Sequence, residues 1–421
     1  AGTGFDHVAA QEHESYALFA QFDYQFTDEL TLTAGIRYTD ESKDLATEFS
    51  ENLPGGEVFP TFFSSTTELA IGAGAAGAAL GNIGAALLSG QAPTAADLEA
   101  IRPFQTLGWG FNALGPTTAY RPNIVETLAD DQITGTLKLS WQPNRDTLVY
   151  GSFGTGYKSG GTNTDRIANG FAPLFDAETS ESFELGIKKD IRDYDLRINA
   201  AAHYTTVKEF QANTFTGNGF NLQNAGDYEI SGFEVEATWV PMDDLEVNLA
   251  WAFVDAQYKT FKGGNCWVAF EFHNNTDPEN VKLDPGATVN PETGGFNQFC
   301  NRSGDRPGGE PEHYAVISVK KDFEVADGIY SYIQGDFSHT SEVILDGSND
   351  PYAIQDAYNI VNLRLFMNFE EMDMDVVVWA RNLLDEEYIN RTNFNAPLQT
   401  GKLNAYMAEP ATFGVTVKKR F

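Results

Sequence analysis

Two cysteines, six histidines and a few acidic clusters are the residues of this 421-residue chain whose types suggest chemistry. Cys266 and Cys300 stand in one unpatterned segment, 262–310. A disulfide there would close a long loop, worth about 3–4 kcal/mol in the chain-entropy model, and is favoured over a metal-binding or reactive pair. His7, His13, His203, His273, His313 and His339 are scattered without zinc-like spacing. Asp40, Glu41 and Asp44, and likewise Asp385, Glu386 and Glu387, offer carboxylates for divalent cations at the level of lipopolysaccharide, although solvated turns are the simpler reading. Serine, histidine and aspartate occur without a nucleophile motif. GYKSGG (156–161) continues a strand and has no helix behind it, so it is not a phosphate cradle. Neither an enzyme nor a cofactor site is expected. Trp109, Tyr120, Phe171, Phe215, Phe220 and Trp267 stand in loop-like segments, and are the candidates for an outward-facing ligand platform.

The elements that must position these residues are strands. Aromatic residues make up 13% of the chain, with 31 Phe, 17 Tyr and 39 Gly, a mix suited to strands and tight turns. Lys and Arg total 27 against 60 Asp and Glu, a net charge of −33. That balance argues against nucleic acid, whose phosphates want cations, and against a basic patch on an anionic membrane. Mean hydropathy is −0.31, so helical membrane spans are not expected. A membrane barrel is still allowed, because its strands bury only alternate residues in lipid. Residues 1–13 are polar and patternless, with no signal peptide visible.

From there an alternation of period two recurs. Tyr16, Leu18, Ala20, Phe22, Tyr24 and Phe26 turn into Leu30, Leu32, Ala34, Ile36 and Tyr38. Further apolar rows follow at Ile133 to Trp141, Phe183 to Ile187, Leu196 to Tyr204, Phe233 to Trp239, Leu245 to Phe253, Val361 to Phe369 and Val376 to Ala380. The last row is Phe413, Val415, Val417 and Phe421. Both parities of 147–157 are apolar, so its faces cannot be assigned from the sequence. Arg37, Lys138, Glu234, Glu236 and Arg364 fall on the polar parity. They are expected to face a lumen and to pack against a plug, rather than to line a substrate path.

Connections alternate between turns of about three to six residues and long loops, the plan of an outer-membrane barrel. Segment 43–130 is expected to be one long extracellular loop and 262–310 another. The first includes 69–91, 23 residues without a charge. That is long enough to cross a bilayer, but so rich in Ala and Gly that a short helix within the loop is the better reading, with a second turn at 97–101. Trp141, Tyr194, Tyr204, Trp239 and Phe421 lie near strand ends, where girdle aromatics belong. A closed barrel would let the terminal strand pair with the first one and remove an exposed edge. The fold class is therefore all-β, a transmembrane antiparallel outer-membrane β-barrel with about thirteen strands over 1–421. Single-chain bacterial barrels have an even number. Either one strand is missed, or an N-terminal portion of the barrel stands ahead of this chain.

The segment Asn382-Leu383-Leu384-Asp385-Glu386-Glu387-Tyr388, directly after the penultimate strand, is similar to the N-L-x-D-x-x-Y run of TonB-dependent outer-membrane receptors. GYKSGG, ETSESFELGIKK (178–189), SGFEVEATW (231–239) and the terminal aromatic Phe421 add to the resemblance, which covers nearly the whole chain except its long loops. The resemblance implies the last part of a 22-stranded barrel, with Phe421 as a C-terminal assembly signal. It also implies an N-terminal plug and early barrel strands as partners, the TonB system of the inner membrane as the energy source, and outer-membrane lipid and lipopolysaccharide as surroundings. The implied function is import of a scarce extracellular ligand such as a ferric siderophore. A passive porin-like channel and a structural barrel in a multi-chain assembly are the alternatives. Within 382–388, Asn382 and Asp385 are expected to cap the turn.

Overall fold

The computed structural model describes residues 4–52, 123–164, 167, 171–215, 220–267, 299–393 and 404–420. Thirteen strands run antiparallel in chain order within one sheet. They are β1 (Gly4–Gln25), β2 (Leu30–Asn52), β3 (Val125–Asn144), β4 (Thr147–Lys158), β5 (Glu178–Ile191), β6 (Leu196–Lys208) and β7 (Tyr228–Met242). β8 (Leu245–Tyr258), β9 (His313–Ala326), β10 (Ile329–Thr340), β11 (Tyr358–Phe369), β12 (Met374–Arg381) and β13 (Thr412–Lys419) complete it. β1 and β13 are the two edges, and they do not pair with each other among the described residues.

The register decides which side chains share a face. Arg37 lies opposite Thr134, two positions of the same parity from Lys138. Lys138 pairs with Ser152, Ser152 with Glu184, and Glu184 with His203. His203 pairs with Gly232, the parity of Glu234 and Glu236. From Glu234 the row continues through Ala252, then the ladder Tyr314, Thr340 and Tyr358, which has the parity of Arg364. All five charges expected to face a lumen therefore share one face, opposite the exposed apolar rows, and we term it the inner face.

The other face is apolar and open. Leu18 is 77% exposed, Leu185 63% and Val415 65%. Such a surface is stable against hydrocarbon and not against water. Between the two edges the sheet's backbone groups satisfy one another across the strands, as a bilayer requires.

The inner face is held by local pairs. Tyr150 donates to the Glu184 carboxylate at 2.6 Å, and the Lys138 ammonium stands 4.5 Å above the Tyr150 ring. The β4 parity that the sequence left open is thus settled, with Tyr150 and Ser152 inward. Tyr150 also lies over its cross-strand partner Gly186, where a Cβ would meet the ring at 2.4 Å. Trp379 covers Gly414 in the same way, with 2.2 Å for a Cβ. Only glycine permits this approach.

Several boundaries differ from the sequence reading. β1 begins at Gly4, inside the stretch read as patternless, and β2 and β3 reach Asn52 and Val125, so the loop expected over 43–130 is shorter at both ends. About ten residues suffice for a strand to cross a bilayer. The 22 and 23 residues of β1 and β2 therefore rise well beyond it. Out there neither face meets lipid: one is exposed to water and the other packs under the loops through Thr39, Glu41, Leu45 and Thr47, so polar residues serve on both and no apolar alternation is imposed. The second loop runs from the end of β8 to His313, and carries a two-residue hairpin, Gly264–Asn265 with Phe299–Cys300. The helices expected at 69–91 and 97–101, and the terminal Phe421, lie outside the described residues.

Candidate functional site

Four cross-strand neighbours, Ala252, Tyr314, Thr340 and Tyr358, form one row across the inner face of β8 to β11, close to the ends that carry long loops. They are one wall of a cavity of 710 Å³. Val254 of β8 adds to that wall, and three outer segments supply the rest: Gly308 to Pro311 from the β8–β9 loop, Val343, Leu345, Asp346 and Gly347 with Gln355 from the β10–β11 loop, and Ile389 and Asn390 from the β12–β13 loop. A volume of this order is that of a small-molecule site, for which about 300–1,000 Å³ is usual.

Each segment is held by its own backbone. Asn382 adopts φ 47°, a left-handed conformation that few side chains other than Asn, Asp and Gly tolerate. Its amide donates to the carbonyls of Glu386 and Glu409 at 2.8 and 3.2 Å, and its Oδ1 accepts the Glu386 N–H at 2.8 Å. Asp385 Oδ1 accepts the Ala411 N–H at 2.8 Å. The motif thus clasps both ends of the β12–β13 loop. It also sets the Tyr388 ring on Tyr358, centroids 4.1 Å apart and nearly parallel. Burial pushes the Tyr388 phenol above its ordinary pKa, with Tyr358 and Glu409 adding to the shift. Next along, the Ile389 N–H donates to Gln355 Oε1 at 2.7 Å, which joins two walls of the cavity.

The β10–β11 loop folds around Asp346, whose carboxylate accepts the N–H of Ser348 and Asp350 and the Ser348 hydroxyl. Gly308 lies so close to this loop that a Cβ would stand 2.2 Å from the Asp346 carbonyl oxygen. Gly309 takes φ 103° and donates to the Ile344 carbonyl at 2.7 Å. Both glycines are thereby required by the backbone.

The charges of the cavity are one-sided. Glu310 and Asp346 line it, and none of its lining residues is Lys, Arg or His. Asp346 is occupied by its own loop. Among the described residues Glu310 makes neither a hydrogen bond nor an ion pair, and its side chain is exposed.

The other outer loops knit into a separate layer. Asn163 bridges to Ala172 and to both backbone groups of Leu222, and Gln211 Nε2 reaches the carbonyls of Ser159 and Asp176 at 3.0 Å. Lys43 on β2 donates to Ser159 Oγ and the Gly160 carbonyl at 2.5 and 2.6 Å, which pins GYKSGG to the sheet. Cys266 and Cys300 are joined as a disulfide with Cα atoms 5.0 Å apart.

The sequence-predicted residues are distributed as follows. Phe171 packs against Leu45, Ile124 and Ile167 and meets Phe299 at 5.6 Å. Phe220 lies in the hairpin Gln211–Phe215 with Phe220–Asn224, and Trp267 follows the disulfide. None of the three lines the cavity. Trp109, Tyr120 and the Phe215 side chain lie outside the described residues. Of the motif residues, Tyr388 stacks on the lining Tyr358, Asn382 and Asp385 hold the loop that carries Ile389 and Asn390, and Leu383 donates its N–H to the Val361 carbonyl. Of the acidic clusters, Glu41 is buried and paired with His13 at 3.4 Å and Lys43 at 3.8 Å, while Asp385 is a cap. Among the described residues no group of three or more His, Cys, Asp or Glu could hold a metal ion.

The sequence reading missed Tyr314, Tyr358 and Glu310. The two tyrosines carried a findable signal, since each falls on the inward parity at the loop end of its strand. Glu310 carried none.

The sequence model of the family described as "TonB dependent receptor-like, beta-barrel" matches residues 3–383. The pesticin receptor of Yersinia enterocolitica is 36% identical over 110 residues, 26% of this chain and 16% of that receptor. The ferric yersiniabactin uptake receptor FyuA of Yersinia pestis superposes with a TM-score of 0.62 at 17% identity, over 98% of this chain and 46% of that one. The siderophore receptor PiuA of Acinetobacter baumannii gives 0.56 at 14%, over 98% and 43%. The chain thus spans less than half the length of these solved relatives.

Proposed function

Because this chain belongs to the TonB-dependent receptor-like β-barrel family, outer-membrane receptors and transporters rather than enzymes, we propose that it forms barrel wall and ligand-capturing outer loops of an importer for a scarce nutrient such as a ferric siderophore. The observation that carries this reading is the rim cavity, walled by the Tyr314–Thr340–Tyr358 row and by three outer loops. It is large enough for part of a chelate and sits where the inner face meets the outside. A passive pore has no need of a walled site whose loops are clasped so closely.

In this reading the inner-face charges Arg37, Lys138, Glu234, Glu236 and Arg364 meet a plug, and the free edges of β1 and β13 pair with further barrel strands. The apolar outer face meets outer-membrane lipid and lipopolysaccharide, and the TonB system of the inner membrane supplies energy. Names of related receptors point to siderophores as the substrate class.

The test is uptake of radioactive iron from a panel of chelates by iron-starved cells, with and without the gene and with and without TonB. Loss of uptake of at least one chelate in both deletions is expected. Unchanged uptake of every chelate, together with steady ion conductance of the purified protein in bilayers, would replace the importer by a passive channel.

A further inference from the structure

The cavity at the rim has a chemical preference of its own. Its aromatic wall offers two phenol rings, Tyr314 and Tyr358, on either side of Thr340 in one cross-strand row. Tyr358 is fixed by its stack on Tyr388. Glu310, on the β8–β9 loop, also lines the cavity; among the described residues its carboxylate makes no hydrogen bond or ion pair, and it acts on the Tyr228 phenol only through its charge. No lysine, arginine or histidine lines the cavity, and the chain carries a net charge of −33. An anionic ligand group entering here would lose hydration and meet only like charge. A cationic group would meet a carboxylate, and aromatic faces of the kind that attract cations within about 6 Å.

We propose that this cavity receives a positively charged, partly apolar portion of the ligand, a protonated amine of a metal chelate being the simplest case, and that Glu310 is its specificity-determining residue. The proposal rests on the receptor function above and narrows its substrate class. Its apolar lining, Ala252, Val254, Val343, Leu345 and Ile389, would take the hydrocarbon part of such a ligand.

The experiment uses the full natural protein in outer-membrane vesicles. Three probes are compared in equilibrium binding: ferrioxamine B, which carries a free ammonium, neutral ferrichrome, and anionic ferric enterobactin. Ferrioxamine B is expected to bind tightest and ferric enterobactin weakest. E310K should weaken ferrioxamine B by on the order of tenfold and leave ferrichrome within about twofold. Y314L, which keeps bulk but removes the ring, should also weaken ferrioxamine B selectively. Since the Glu310 side chain is exposed and makes no bond among the described residues, a heat-modifiable barrel band on gels should persist in E310K and confirms that the variant is folded. Tightest binding of ferric enterobactin, or equal loss of all three probes in a folded E310K, would overturn the proposal and leave the receptor reading standing. Failure of every probe to bind the unaltered protein would overturn the proposal, while the receptor reading stands or falls with the uptake panel above.

Discussion

Asn382 is the side chain on which the cavity wall depends most. It is 5% exposed, sits at φ 47°, and closes three hydrogen bonds to backbone groups of the β12–β13 loop. Asn382→Ala would leave those buried groups unpaired and put in the left-handed region a residue that tolerates it less well than Asn. A loss of about 1–3 kcal/mol is expected, read as a lower unfolding midpoint in detergent. Asn382→Gly should recover only the conformational part, and equal stability of all three proteins would show that the clasp is idle. Asp350 makes a different case. It is 4% exposed, and burial, with Asp346 adding to it, raises its carboxyl above the usual range. A raised carboxyl favours the folded loop while protonated, and that advantage disappears as pH climbs through the folded-state pKa. At neutral pH the ionised Asp350 is therefore a liability to the 345–353 loop. Asp350→Asn keeps an acceptor for the Tyr352 N–H and should slow amide hydrogen exchange of that loop at neutral pH, with little change in acid. Faster exchange at neutral pH would contradict this. At this scale the sequence was least legible. The aromatic candidates were picked because they stand in loops, whereas the cavity is assembled from Tyr314, Tyr358 and Glu310. The register brings the two tyrosines together, and the fold of the β8–β9 loop adds Glu310.

At the scale of the strand, lipid imposes a pattern that can be read directly. The inward rows and outward rows were visible wherever one face meets hydrocarbon, because a shift by one residue would expose every apolar side chain to the wrong side. The pattern failed in two places for physical reasons. The outer parts of β1, β2 and β3 rise beyond the lipid, where one face is exposed to water and the buried one accepts Thr39, Glu41 and Thr47 beside Leu45, so no apolar row marks either. In β4 an inward Tyr150 covers Gly186, so an aromatic occupies the parity otherwise reserved for polar residues. The assignment of faces has a direct test at neighbouring positions. Leu185→Arg, at mid-strand on the outer face, should cost about 2–4 kcal/mol of barrel stability, measured by unfolding in urea with lipid vesicles. Ser182→Arg, on the inner face of the same strand, should cost far less. The reverse order would mean that the faces are exchanged.

For the molecule as a whole, short turns lie at one end of the sheet and long loops at the other, and this asymmetry made the architecture readable before any contact was known. The count of about thirteen strands came from the same alternation and matches the sheet. The layout of the loops was not legible, because it depends on hydrogen bonds between distant backbone segments, such as Asn163 to Leu222 and Lys43 to Gly160, which leave no period in the sequence. In the proposed importer the end bearing the long loops faces outward and its cavity lies on the import route. The most direct measurement places a cysteine at Gly347, labels intact cells with a bulky, membrane-impermeant maleimide, and follows radioactive iron uptake in the same cells. Cys266 and Cys300, being joined, should not react. A cysteine at Asp243, in the β7–β8 turn, is the control. Labelling and loss of uptake are expected at position 347, and neither at position 243. Full labelling at 347 with uptake unchanged, or labelling from outside at 243, would contradict that expectation.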